Sequence, residues 1–133
     1  MAKVKLPKDK QPAIKIAAMP KDTNPGGSIF GGWIMSQIDI AASIIALERA
    51  KGRVVTVAVN SIEFHEPVFV GDVVSCYTDI VKTGNTSITV KVDVYAERNP
   101  SNKETVKVTQ ATLTFVALDE NRRPRQLPDL DKK

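Results

Sequence analysis

The run Asn24-Pro25-Gly26-Gly27-Ser28-Ile29-Phe30-Gly31-Gly32-Trp33 opens onto a long apolar stretch carrying one internal acid, Asp39. A glycine-rich helix start leaves bare backbone N–H groups at the end of the helix dipole that favours negative charge. The N–H groups of Gly31 and Gly32 therefore suit an oxyanion. Asp39, about two turns further on, has Met35, Ser36, Ala42 and Ser43 at helical spacing, so it is expected in a buried, apolar-to-small setting where an idle carboxylate is costly. Such an acid is a general base for water or a direct nucleophile, and the pairing describes a hydrolytic site. Asn24, standing before Pro-Gly, is by residue type a turn or cap residue.

Other reactive side chains are few. His65, in Phe64-His65-Glu66-Pro67, is the only histidine, so no zinc motif can be completed and it reads as a structural or surface residue. Cys76 lies in an apolar run with no activating neighbour and reads as core. Gly-x-Ser-x-Gly, a P-loop and a Gly-x-Gly-x-x-Gly after a strand are all missing, which removes serine-hydrolase, nucleotide-hydrolase and Rossmann chemistry. Gly84-Asn85-Thr86-Ser87 has the composition of a hairpin turn. Phe30 and Trp33 read as core or interface aromatics.

These residues need a scaffold, and the pattern supplies one. Residues 13 to 19 form a short apolar run ending at Pro20, consistent with a first strand. From Gly31 to Ala50 there is no proline, apolar residues lie on every face, and Lys51-Gly52 provides a stop, which predicts a buried helix. Four β-rich segments follow, Val54 to Phe64, Val73 to Lys82, Thr86 to Arg98 and Thr105 to Leu118, separated by turn compositions. One buried helix and consecutive antiparallel strands make an α+β domain, with the sheet curled around one long central helix as in the hotdog fold. One sheet covers only part of an all-apolar helix, so a second subunit is expected to close the rest.

With 133 residues, 42% hydrophobic and 26% charged, the chain is expected to form one soluble domain, residues 1–133, without a membrane span. The N-terminus has no apolar signal region, and a lone cysteine excludes an internal disulfide, so the cytoplasm is the expected setting. The formal charge of +4 gathers at the ends (Lys3, Lys5, Lys8 and Lys10, then Arg122, Arg123, Arg125, Lys132 and Lys133), which read as basic, flexible tails at about 1–11 and 129–133. Aromatic residues make up only 5%, which gives no stacking platform, and nucleic acid is not an expected partner.

Pro20 through Asp39, Gly52 through Val59, Phe64-His65-Glu66-Pro67-Val68 and Val70-Gly71-Asp72 closely resemble the YciA-type bacterial acyl-CoA thioesterases. The resemblance implies a hotdog thioesterase that hydrolyses acyl-CoA, uses no cofactor beyond the coenzyme A of its substrate, and assembles as dimers and a trimer of dimers. It implies that Asn24 and Asp39 face each other across a dimer interface, one from each subunit. It also implies pantetheine contacts for Gly84, Asn85, Thr86 and Ser87, while the basic cluster of Arg122, Arg123 and Arg125 offers candidate cations for the phosphates of coenzyme A. The chain departs from the pattern at Arg122, where relatives often carry a turn glycine. A thiolate leaves without a strong acid behind it, so one carboxylate suffices for the reaction. The alternative is a non-catalytic acyl-CoA-binding or regulatory protein of the same fold, which would have no need of an acid at Asp39.

Overall fold

A computed structural model describes residues 4–130. Lys3, Lys132 and Lys133, with the outer parts of both basic tails, lie outside the described residues. The elements are β1 (Ile14–Ala17), a 3₁₀ turn (Pro20–Asp22), α1 (Gly31–Ala50), β2 (Val54–Phe64), β3 (Val73–Thr83), β4 (Ser87–Arg98) and β5 (Glu104–Ala117). The strands form one antiparallel sheet in the order β1-β3-β4-β5-β2. Strand ends fall within two residues of those read from the pattern.

Period-two patterning explains the core. Ile88, Val90, Val92, Val94 and Ala96 on β4, and Ala111, Leu113, Phe115 and Ala117 on β5, are all buried on one face, joined by Val74 and Cys76 of β3. Against them α1 lays Ile34, Ile38, Ala41, Ala42, Ala46 and Ala50. The alanines let the helix axis come close to the sheet. This is the hotdog arrangement.

The helix is not buried all round in one chain. Met35, Ile40, Ile44 and Leu47 remain 41–51% exposed on its outer side. Beside them β2 is an edge strand paired only with β5, and its Val55, Val57 and Val59 are 41–55% exposed. Two register shifts interrupt its pairing with β5, between Thr56 and Ala58 and between Val59 and Ser61.

The N-terminal tail is tied further out than expected, at Lys10, and the C-terminal segment is held as far as Pro128. Lys10 pairs with Asp79 on β3 and Ala13 N–H donates to Cys76 O at 2.8 Å. Arg49 Nη1 donates to Pro128 O at 2.7 Å, and Leu127, buried, donates its N–H to Asn85 O at 2.9 Å. The helix stop also differs in its reason. The left-handed position falls on Lys51 (φ 54°), not on Gly52. Gly52 is needed for approach: a Cβ there would stand 2.9 Å from Arg125 Nη2, which donates to Ala50 O at 2.8 Å and so satisfies a helix-end carbonyl.

The loop between β2 and β3 is anchored by a buried ion pair. Asp72 Oδ2 accepts from Arg98 Nη2 at 2.8 Å and from Phe69 N–H at 2.9 Å, while Arg98 Nη2 also donates to Pro67 O at 3.1 Å. The Arg98 guanidinium lies 5.1 Å from the Phe69 ring centroid. From this loop Val68 O accepts Ile29 N–H at 2.8 Å, so the ion pair reaches through the loop to the segment that opens α1.

The Arg122 loop closes without glycine. Arg122 sits at φ 62°, its N–H donates to Asp119 O at 3.0 Å, and Asp119 Oδ1 accepts the N–H groups of Asn121 and Arg123. A side chain in the left-handed region carries strain, so Arg122→Gly should stabilise the protein by about 0.5–1 kcal/mol after the entropy of the unfolded glycine is counted. Thermal unfolding should then rise by about 2–4 °C, and an unchanged or lowered midpoint rejects the argument.

Candidate active site

Asp39 lies on the flank of α1 turned towards β2, where Thr56 Oγ1 donates to Asp39 Oδ1 at 2.7 Å. The pair sits, with Ser36, on the rim of a cavity of about 260 Å³ between helix and strand. Met35 and Val59 wall the cavity, and Ile38, Ile62 and Leu113 form its apolar floor. Asp39 is exposed in the single chain, contrary to the expected burial. The reason is the uncovered side of the helix: the apolar neighbours predicted around the acid are present, but the single chain leaves that side open.

Thr56, Val59 and Ile62 stand three apart yet line one cavity. A regular strand shows alternate residues to one face, so this spacing requires the two register shifts in β2, each of which inserts a residue and turns the strand. Thr56 is the site residue that reading the sequence missed. Its only signal was a hydroxyl in an apolar strand, and threonine is common in strands.

The glycine turn is built as expected but stands apart. Phe30 is the N-cap of α1 and offers no side-chain cap, and the first N–H groups bonded within the helix are those of Trp33 and Ile34, both donating to Phe30 O. The N–H groups of Gly31 and Gly32 precede them, in the turn where a helix has no internal acceptors. Eight residues at 1.5 Å each put Gly31 about 12 Å along the axis from Asp39, too far for both to reach one carbonyl group. Asn24 does not line the Asp39 cavity either. Its Oδ1 accepts Ser28 N–H at 3.2 Å and its Nδ2 donates to Ser28 Oγ at 3.1 Å, which holds the loop that presents Gly31.

The remaining candidates are spread out. A Cβ at Gly84 would come within 2.6 Å of Ser87 Oγ, which would have to turn away, and the carbonyls of Asn85 and Thr86 accept the N–H groups of Leu127 and Ala117. The side chains of Arg122 and Arg123 are exposed. Arg125 is already engaged, donating from Nε to Leu118 O at 2.9 Å and from Nη2 to Ala50 O, beside a cavity of about 560 Å³ that Lys51, Arg53, Asp119 and Glu120 also line. His65 is half exposed, with Nε2 3.8 Å from Glu63 Oε2. Burial pushes the Cys76 thiol up to about 12, which leaves it inert as a nucleophile. Among the described residues no cluster of His, Cys, Asp and Glu could hold a metal ion, and no helix is long and apolar enough to cross a membrane.

The family model described as thioesterase superfamily matches residues 26–101, from the glycine turn through β4. The chain belongs to the thioesterase superfamily. Within that superfamily it is 48% identical over 117 residues to the acyl-CoA thioester hydrolase YciA of Salmonella typhimurium, covering 86% of this chain and 88% of that one. Its fold matches a hexameric hotdog fold thioesterase of Campylobacter jejuni with a TM-score of 0.86 at 45% identity, covering 91% of this chain and 93% of that one. It also matches the acyl-CoA hydrolase of Staphylococcus aureus, solved with butyryl coenzyme A, with a TM-score of 0.80 at 31% identity over 86% of this chain and 70% of that one. That thioesterase has been solved as an aspartate-to-alanine and an asparagine-to-alanine mutant, at two positions fifteen residues apart.

Proposed function

We propose that the protein is an acyl-CoA thioester hydrolase, acting as an oligomer in which two chains complete each site. The observation that carries this reading is the Thr56–Asp39 hydrogen bond on the rim of a cavity with an apolar floor, which sets a fixed carboxylate beside a place for an acyl chain. The names of the Salmonella and Staphylococcus relatives support the substrate class. The fifteen-residue interval between the two substituted positions in the Staphylococcus enzyme equals that between Asn24 and Asp39, which supports giving both a role.

The separation of Gly31 from Asp39 within one chain argues that they serve different sites. The exposed edge of β2 and the outer face of α1 offer the surface for a second copy, and a β2-to-β2 contact would cover Val55, Val57 and Val59. The hexamer of the Campylobacter relative supports three such dimers. Each site then takes Asp39 and Thr56 from one chain, with Asn24, Gly31 and Gly32 of the partner subunit.

In this arrangement Thr56 holds Oδ1 of Asp39 and leaves Oδ2 to take a proton from water. The water oxygen bonds to the thioester carbonyl carbon, and the carbonyl oxygen becomes an oxyanion facing the N–H groups of Gly31 and Gly32 of the partner subunit. Collapse breaks the C–S bond, and the thiolate departs or takes the proton back from Asp39. No step calls on a metal or a cofactor. Exposed Arg122 and Arg123, and the Gly84–Ser87 turn, are the candidates for the coenzyme A moiety. A coenzyme A substrate and a single thiol both suit the cytoplasm.

Release of free thiol from acetyl-, butyryl-, hexanoyl- and palmitoyl-CoA by the purified protein tests the reading. Turnover of at least one is expected, and binding of coenzyme A ligands without thiol release would refute hydrolysis.

A further inference from the structure

We propose that Ser36 is a further catalytic residue, whose hydroxyl fixes the water that Asp39 activates. The inference rests on acyl-CoA hydrolysis at Asp39 and names the group that orients the nucleophile there. Ser36, Asp39 and Thr56 supply the polar side chains of the cavity between α1 and β2, and the rest of its lining is apolar. Thr56, across on β2, gives its proton to Asp39 Oδ1. A water on Oδ2 is therefore turned away from the strand, and the hydroxyl on that side is Ser36, one turn before Asp39 on the same flank of α1. Residues three apart on a helix carry their Cβ atoms about 5–6 Å apart, a span that one water with two hydrogen bonds of about 2.8 Å each closes.

A helical serine ordinarily turns its proton back to a carbonyl of the preceding turn, as Ser43 Oγ does to Ile40 O at 2.7 Å. Ser36 does not: among the described residues its hydroxyl has no hydrogen-bond partner, and it opens on the cavity instead. The chemistry has a use for it. Asp39 holds the water by one hydrogen only, and a water held at one point can swing its lone pair off the thioester carbon. With the second hydrogen accepted by Ser36 Oγ, the lone pair stays aimed. The first O–H bond then breaks towards Asp39 Oδ2 as the oxygen–carbon bond forms and the C=O electron pair moves onto oxygen. The second hydrogen leaves with the carboxylic acid, so Ser36 neither gains nor loses a proton.

The test is kcat and KM for hexanoyl-CoA with the whole protein, Ser36→Ala, Ser36→Thr, Asp39→Ala and the double variant Ser36→Ala with Asp39→Ala, with thermal unfolding and sizing of each. Alanine is the better helix former, so Ser36→Ala should assemble and melt no lower than wild type. Its kcat should nevertheless fall about tenfold with KM within about twofold, as when a hydrogen bond made only in the transition state is removed. Ser36→Thr, which keeps a hydroxyl, should recover most of that loss. In the Asp39→Ala background the same change should cost less than about twofold, because no base remains to use the oriented water. A wild-type kcat in Ser36→Ala, a loss confined to KM, a loss that threonine does not recover, or an equal loss without Asp39 each overturns this proposal and leaves hydrolysis standing. A wild type inert towards every acyl-CoA overturns the hydrolytic reading and this proposal with it.

Discussion

Asn24→Ala and Asp39→Ala, each nearly inactive as a pure protein, are expected to regain activity when the two are unfolded, mixed and refolded together. Losing a general base costs about 10²–10⁴-fold in turnover, so pure Asp39→Ala should fall by that factor. In a dimer whose sites each combine Asp39 of one chain with Asn24 of the other, a mixed dimer has one site carrying both changes and one carrying neither. Random pairing should thus restore about a quarter of wild-type activity, far above either parent. The geometry behind the expectation is the axial separation of about 12 Å between Gly31 and Asp39, with Asn24 tied to Ser28 away from the cavity. Thiol release from hexanoyl-CoA after co-refolding, with sizing to confirm assembly, decides the matter. Mixtures no more active than the parents would mean that each chain builds its site alone.

Asp72→Ala should cost about 3–5 kcal/mol, because it leaves the Arg98 guanidinium in a largely buried position without its counter-charge. The same change strips the acceptor from Phe69 N–H. At fixed protein concentration, since assembly contributes to apparent stability, thermal unfolding should fall by at least about 10 °C. Adding Arg98→Met should recover part of the loss, because the stranded charge goes with it. A single variant within about 1 kcal/mol of wild type would show that solvent already screens the pair. Because Val68 O holds Ile29 N–H, the loosened loop should also disturb the turn that presents Gly31.

Most of the scaffold was legible because its signals are local. The alternation of Ile88, Val90, Val92 and Val94 needs only a period of two, and the absence of proline from Gly31 to Ala50 needs only a reading of residue types. Asp39 stood out as one acid in an apolar helix. Its exposure did not, because burial on that flank is decided by what lies across from it. Thr56, Val59 and Ile62 were hidden for a different reason: a bulge is a property of two strands in register, and β2 alone reads as regular alternation. The purpose of Gly52 was equally hidden, since it is set by Arg125, more than seventy residues away. Arg125 looked like a free cation at a basic tail until the helix end it serves came into view.

The bare edge of β2 has a bearing on how the chain survives its own synthesis. Eleven residues of strand with one unpaired side, carrying Val55, Val57 and Val59, form a template on which any extended apolar segment can add itself. Correct pairing with a like chain and misdirected aggregation therefore draw on the same hydrogen-bonding groups, and they compete for each newly made molecule. Early dimerisation would then protect the nascent protein as well as complete its chemistry, and scarcity of partners would expose it to loss through clumping before it ever meets a substrate.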